Sequence, residues 1–274
     1  MRSHDHIGWT FAGDAGFEEL ACPFLAEGAA RGELLMYLAA VPRPATAARL
    51  RDRYGSRVIR ISRVTDVYGE SGIVDSLGQR AVFATVLADA LAAGFAGIRV
   101  ATDATPLVAS EAGLAAWIRW EHVADRFMAD NPVTGLCAFD VRRVDMSRLR
   151  RVAALHPLSA VTDPEPRYRM YSDGGALCLQ GHVGSDAVRQ LPLAMEALPP
   201  GTGVLIDLSA ATLTSRTPLA GLRRLAASGV PVTIRGERAA LDTLAGNGLR
   251  PGKNLLLEAT GAVASPSPAT TPSA

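Results

Sequence analysis

An excess of charge is the first thing missing. Lys and Arg total 28 against 27 Asp and Glu, for a formal net charge of +1. No cluster of basic residues interleaves with aromatics, so the electrostatic footprint of a nucleic-acid binder is absent and nucleic acid is not expected as a partner. Long apolar runs are missing too. The stretch Leu34 to Val41 is only strand length and is stopped by Pro42 and Pro44, far short of the roughly 20 residues that span a bilayer. Met1 to His6 is polar and carries no apolar export signal, so a cytoplasmic location without a membrane partner is expected. Cysteine is scarce: Cys22, Cys137 and Cys178 have apolar neighbours and no CxxC spacing, and they read as small buried hydrophobes. No His or Asp stands at a fixed spacing that would turn one of them into a ligand or a reactive thiol. A phosphate-binding GxxxxGK[ST] run and a GxSxG nucleophile elbow are also absent. No catalytic residue, metal or cofactor is therefore expected.

What is present is a chain of 274 residues, long enough for two cores, with one large α/β domain as the alternative. Abundant Ala, Leu and Val with few Lys fit a high-GC bacterial source such as an actinobacterium. From residue 8 onward, short β-type runs alternate with helical patterns. Gly8 to Phe11 reads as a strand, and Asp14 caps a helix to about Arg31 in which Phe17, Leu20, Phe24 and Leu25 recur at helical spacing. Leu34 to Val41 is a continuous apolar strand of the kind buried on both faces of a parallel sheet. A helix over Ala45 to Tyr54 and a strand over Arg57 to Ile61 follow, and Ser62 to Asp75 reads as a long loop of the kind that often carries function. Next come a helix from Val74 to Ala93, a strand over Ile98 to Thr102, a helix capped by Ser110, a strand over Leu136 to Phe139, and a helix over Met146 to Leu155. This rhythm predicts a doubly wound, largely parallel sheet with helices on both faces.

Pro157 to Pro166 holds three prolines and reads as a linker. A hairpin over Tyr168 to Tyr171 and Ala176 to Gly181 then opens a second α/β unit, with Asp173 and Gly174 at the turn. It continues as helix Asp186 to Leu198, strand Gly203 to Leu208, helix Leu219 to Ala227, strand Val230 to Arg235, helix Glu237 to Ala245 and a short strand at Leu255 to Leu257. The domain limits are 1–160, a linker 161–166, 167–260, and a tail 261–274 of Pro, Ser, Thr and Ala that is expected to be disordered.

Two resemblances follow from particular stretches. "HIGWTF", "FEELACPFLAEGAARGELLMYLAA", "AGIRVATDAT", "WIRWEHVADRFM", "GLCAFD" and "LHP" resemble the MEDS family, a presumed sensory domain of methanogen and methylotroph proteins and of a dichloromethane-responsive regulator. That resemblance implies a RecA-like sheet without ATPase chemistry that senses small organic molecules. "ALCLQGHVGSDAVRQLPLAMEAL" and "GVLIDLSAATLTSRTPLAGLRRLAASGVPVTIRG" resemble STAS domains, the fold of anti-sigma factor antagonists, which implies an anti-sigma factor or related kinase as partner. In active antagonists the switch loop reads Asp-Ser-Ser-Gly, and phosphate on a serine sits at a helix N-terminus. Here the four positions are Ser215, Arg216, Thr217 and Pro218. The phosphoacceptor position falls on Arg216, so the usual switch is expected to be lost, although a one-residue slip leaves Ser215 or Thr217 within reach of a kinase. These three residues are the expected partner-binding loop.

For a small organic ligand, the candidate pocket residues are Gly13 and Asp14 after the first strand, Asp103 at a strand's carboxyl end, and Trp117 and Trp120 on one helical face. Each has a plainer role open to it: turn residues for the glycines, a turn cap for Asp103, core packing for the tryptophans. His4 and His6 read as a solvated terminal segment or as ligands at a strand edge. Glu121 and His122 are adjacent on a helix and do not face each other. His156 marks a helix end, where an imidazole suits the negative end of the dipole. The expected function is a non-catalytic signalling protein in which a sensory domain is coupled to a protein-binding domain in sigma-factor or stress-response regulation. The alternative is a degenerate RecA-like nucleotide- or small-molecule-binding protein, or a cryptic enzyme.

Overall fold

The computed structural model describes residues 5–13, 15–159, 166–173, 175–197, 203–213, 222–223, 227 and 229–260. Its first sheet contains β1 (His6–Phe11), β2 (Leu34–Ala39), β3 (Ile59–Arg63), β4 (Ile98–Asp103), β5 (Val133–Asp140) and β6 (Leu158–Ser159), in the order β3-β2-β4-β5-β1-β6. Every neighbouring pair is parallel. Around it lie α1 (Gly16–Ala30), α2 (Pro44–Tyr54), α3 (Val64–Tyr68), α4 (Ser76–Ala92), α5 (Glu111–Asp130) and α6 (Met146–Ala153). The second sheet contains β7 (Tyr168–Asp173), β8 (Ala176–Val183), β9 (Val204–Leu213), β10 (Val232–Gly236) and β11 (Leu255–Ala259), in the order β11-β10-β9-β8-β7. Only the β7–β8 pair is antiparallel, which makes this sheet mixed. Helices α7 (Ser185–Glu196) and α8 (Arg238–Gly246) accompany it. The expected α/β class, with a parallel first sheet flanked by helices and a mixed second sheet, is what the chain forms.

The local chemistry explains these elements. β2, β4 and β5 are buried at every position, as strands covered by helices on both faces must be. The α2 helix starts with Pro44 in its first turn, where the missing N–H costs nothing, and stops at Gly55 with φ 78°. The Asp75 carboxylate caps α4 by accepting from Leu77 N, and Ser110 Oγ caps α5 by accepting from Gly113 N at 3.0 Å. Strand alternation sends Ile7 and Phe11 of β1 into the core beneath α1, with Phe17, Leu25 and Tyr37. The neighbouring positions His6 and Gly8 face the other side, where α5 and α6 lie. There Trp117, Ile118, Phe139 and Leu149 form the larger core.

Several expectations change. Ser62 to Asp75 contains the one-turn helix α3, which carries Tyr68 into the core at 6% exposure. A helix of five residues is too short for an apolar period to register in the sequence. β1 begins at His6, so His6 is part of the sheet and not of a solvated segment, while His4 lies outside the described residues. β5 begins at Val133 and runs through Gly135, and β9 continues to Leu213, five residues past the expected end. Leu158 and Ser159, read as linker, pair with Ile7 and Gly8. The linker core, most of the expected helix over Leu219 to Ala227, the turn residue Gly174 and the tail from 261 lie outside the described residues.

Helix α5 is the shared element. Its middle is buried all round, which a helix lying on only one sheet would not be. On the side away from the first sheet it meets β7 and α7. Arg119 Nε lies 2.6 Å from Glu196 Oε2, Arg126 donates to the carbonyl of Ala197, and Asp125 accepts from the backbone N–H of Ser172. Backbone contacts reinforce the junction: Met170 N donates to Ala154 O at 2.7 Å, and Arg169 to His156 O at 3.0 Å.

Candidate functional site

A polar cluster is buried where β1, β5, α5 and the segment after α6 converge. His6 on β1, Glu121 on α5, Cys137 on β5 and His156 are between 0 and 6% exposed. His6 Nε2 lies 2.9 Å from Glu121 Oε2 and 3.6 Å from Cys137 Sγ. Glu121 Oε2 lies 3.9 Å from the sulfur and 3.5 Å from His156 Nε2. The second nitrogen of each imidazole is occupied elsewhere. His6 Nδ1 is 3.2 Å from Asp125 Oδ1, and His156 Nδ1 is 2.9 Å from Val152 O. The two rings meet edge to face with centroids 4.5 Å apart.

Burial by itself would drive the His6 imidazole toward neutrality, but the Glu121 charge and the contacts with Asp125 and Cys137 outweigh it and hold its pKa well above the ordinary value. Glu121 is opposed by burial and favoured by His156 and His6, and its carboxyl is held far below the usual range. Burial, reinforced by the Glu121 charge, pushes the Cys137 thiol up to about 12. His122, one residue on, is pushed down to about 4 by burial and stays neutral. As the sequence suggested, Glu121 and His122 do not pair; Glu121 turns instead to two histidines distant in sequence.

Glycines make this convergence possible. A Cβ on Gly8 would sit 2.6 Å from His156 Nδ1, so only glycine lets that ring lie against β1. A Cβ on Gly135 would sit 2.7 Å from Met128 Cε, so the missing side chain there admits α5 closely over the sheet.

Beside the cluster, between α5 and the sheet, runs a narrow slot lined by Tyr68, Phe83, Trp120, Phe127, Met128 and Cys137. Its free volume is about 20 Å³, room for roughly one water-sized group. Trp120 stacks on Phe83 with centroids 5.7 Å apart, and Tyr68 stands edge-on to both Trp117 and Trp120. A second concavity lies outside the carboxyl ends of β1, β4 and β5. It is larger and mixed in character: Arg43, Asp103, Asp140 and Arg143 line it together with Gly13, Tyr37 and the apolar Phe11, Phe17 and Val41. Doubly wound sheets bind ligands in this position.

The structure therefore divides the four described residues, of five expected to form one pocket. Gly13, with φ 80°, and Asp103 line the open cleft, where Asp103 also caps the next turn by accepting from Thr105 N at 3.1 Å. Trp120 lines the apolar slot on the α5 side, and Trp117 is fully buried in the core next to it. Asp14, His4 and the expected partner-binding loop Ser215, Arg216 and Thr217 lie outside the described residues. The cysteines also separate: Cys137 is buried, while Cys22 and Cys178 are half-buried. Cys137 stands in an apolar run and has no sequence neighbour that could act with it, yet the fold surrounds it with His6, Glu121 and His156. The signal that could have found the cluster is the parity of two strands. His6 and Gly8 on β1, and Gly135 and Cys137 on β5, share one face once His6 is aligned with Gly135.

A wound, parallel α/β domain with a buried polar centre and an adjoining apolar slot is the class that fold and site define. Residues 5–157 match the MEDS family, the methanogen/methylotroph DcmR sensory domain, and the chain belongs to that family. A signalling role follows from membership. The match contains every residue of the cluster and the slot, and it ends before the second sheet begins at Tyr168. No curated protein and no solved structure matches the chain. No helix among the described residues is long and apolar enough to cross a membrane.

Proposed function

We propose that the chain is a non-catalytic, cytoplasmic bacterial signalling protein, of an actinobacterial type, whose first domain takes up a small organic molecule and whose second domain engages an anti-sigma factor or a related kinase. The observation that carries this reading is the apolar slot against α5, a helix whose opposite side holds β7 through Asp125 and the end of α7 through Arg119 and Arg126. A guest in the slot presses on Trp120 and Phe127, and any movement of α5 is felt at β7 and α7. The mixed sheet and its STAS-like sequence support the choice of partner, and the Ser215, Arg216, Thr217 loop is the surface assigned to it, acting without phosphorylation. The slot as it stands admits about one water-sized group, so an organic guest enters only as α5 and its aromatic neighbours yield, and one- or two-carbon halides and alcohols are the compounds that ask least of them.

Thermal unfolding with such compounds tests the first half of the reading. A ligand present at about 100 times its Kd adds ~2.7 kcal/mol, which raises the Tm by several degrees. No shift with any compound of this class refutes the sensing role. Purified anti-sigma factors of the host, offered one by one to the full chain, test the second half, and failure of all of them to bind refutes it. The larger cleft at the strand ends favours a second reading, a degenerate nucleotide-binding domain, because Arg43 and Arg143 line it beside the aromatic rings of Phe11 and Phe17. A Tm rise with nucleotides and none with small organics would select it.

A further inference from the structure

We infer that His6, Glu121, Cys137 and His156 form a buried site for a tetrahedral divalent metal ion, zinc by preference. One donor atom from each residue lies within 4.8 Å of all the others. A tetrahedral zinc ion with bonds of about 2.0–2.3 Å holds its ligands roughly 3.3–3.8 Å apart. The separations of 3.6 Å between sulfur and His6, 3.9 Å between sulfur and Glu121, and 3.5 Å between His156 and Glu121 are close to those edges. The His6–Glu121 contact, at 2.9 Å, is tighter, and the remaining two edges lie within 4.8 Å.

Two further observations favour a metal over a plain buried ion pair. An ion pair needs only His6 and Glu121, and it leaves His156 Nε2 and Glu121 Oε1 buried without hydrogen-bond partners, as they are here. The other nitrogen of each histidine is pinned by an acceptor, Asp125 for His6 and Val152 O for His156, so both Nε2 atoms turn toward the common centre. This is how outer partners orient metal-binding imidazoles. The donor set selects the ion. Two imidazoles and a thiolate suit zinc, whereas Mg²⁺ and Ca²⁺ require many oxygens and would find one carboxylate. With neutral imidazoles, a thiolate and a carboxylate, a divalent ion leaves no net charge in a site without solvent. The thiol proton, and the proton held between His6 and Glu121, leave to water as the ion enters. Asp125 then connects the metal to the second domain, since one of its oxygens faces His6 and the other accepts from Ser172 N. The inference does not depend on what fills the slot.

The full chain, refolded with Co²⁺ in place of zinc, is expected to bind one equivalent and to show the intense visible absorption of tetrahedral cobalt with a thiolate-to-cobalt charge-transfer band. A Cys22→Ser/Cys178→Ser double variant should keep that band, which assigns it to Cys137. Cys137→Ala should lose the band, and His156→Gln should lose stoichiometric binding, with circular dichroism reporting whether each variant is folded. Asp125→Asn should weaken binding about 10- to 100-fold. If Cys137→Ala does not fold, the wild-type and double-variant spectra decide the matter. A wild-type chain that takes up neither zinc nor cobalt overturns the inference, as does a folded Cys137→Ala or His156→Gln variant with an unchanged cobalt spectrum.

Discussion

Replacing Gly8 with alanine adds one methyl group, and the structure says where it goes. The new carbon would lie 2.6 Å from Nδ1 and 2.7 Å from Cγ of His156, well inside contact distance. The ring has nowhere to retreat. It is fully buried, its Nδ1 is tied to Val152 O, and its faces and edges meet His6 and Phe139. Overpacking of this kind costs about 1–3 kcal/mol, and losing the Val152 hydrogen bond adds ~1 kcal/mol. A loss of about 2–4 kcal/mol corresponds to a Tm lowered by roughly 4–16 °C in a chain of this size. Gly246→Ala is the control. That glycine ends α8 in the open, no heavy atom lies near its added carbon, and alanine there should leave stability unchanged or raise it by up to about 1 kcal/mol. Calorimetry of both variants under one buffer makes the comparison. A Gly8→Ala protein as stable as Gly246→Ala would refute the placement of His156 against β1, and with it the convergence of the cluster.

Two other outcomes follow from buried charge. Arg99 is fully buried, with its Nε 2.6 Å from Glu33 Oε2, so Glu33→Ala strands a charge that half-exposed Glu27, 3.7 Å away, does not neutralise; a loss of about 3–5 kcal/mol is expected in urea unfolding, and a loss under 1 kcal/mol would contradict the pairing. Burial raises the pKa of Asp103 against the opposing hydrogen bonds from Thr105 and Ala40, so the folded chain holds that proton to a higher pH than the unfolded chain does. Stability contributed by the protonated form is present below the ordinary aspartate pKa and declines as pH rises through the raised value. Urea unfolding across the acid range should show wild type losing ground to Asp103→Asn over that window, and parallel curves would disprove it.

Much of the fold was legible because burial leaves a one-dimensional trace. The unbroken apolar run at β2 marks a strand covered on both faces, and Ser110 and Gly55 mark helix ends. Sequence failed where the deciding contact is distant. The strand expected from Leu136 begins at Val133 and includes Gly135, above which the end of the Met128 side chain of α5 lies. Tyr68 ends a turn of helix too short to announce itself. The cluster was harder still. His6 and Cys137 stand 131 positions apart, and nothing local says that β1 is inserted between β5 and β6. Each residue could be seen, but the strand order that joins them could not. The cleft is partly legible, since Asp103 ends β4 and Gly13 comes soon after β1, while Trp120, read with them from the sequence, stands on the other face of the sheet.

The double burial of α5 also has a practical side. In the sequence the helix belongs wholly to the first half of the chain, yet it serves as floor for one sheet and roof for the other. Cutting the polypeptide near residue 160 would strip the roof's tenant and leave Asp125 facing solvent without Ser172. The hereditary unit and the folding unit therefore need not coincide here, and two halves expressed apart would each need a new coat over surfaces that the whole chain keeps dry.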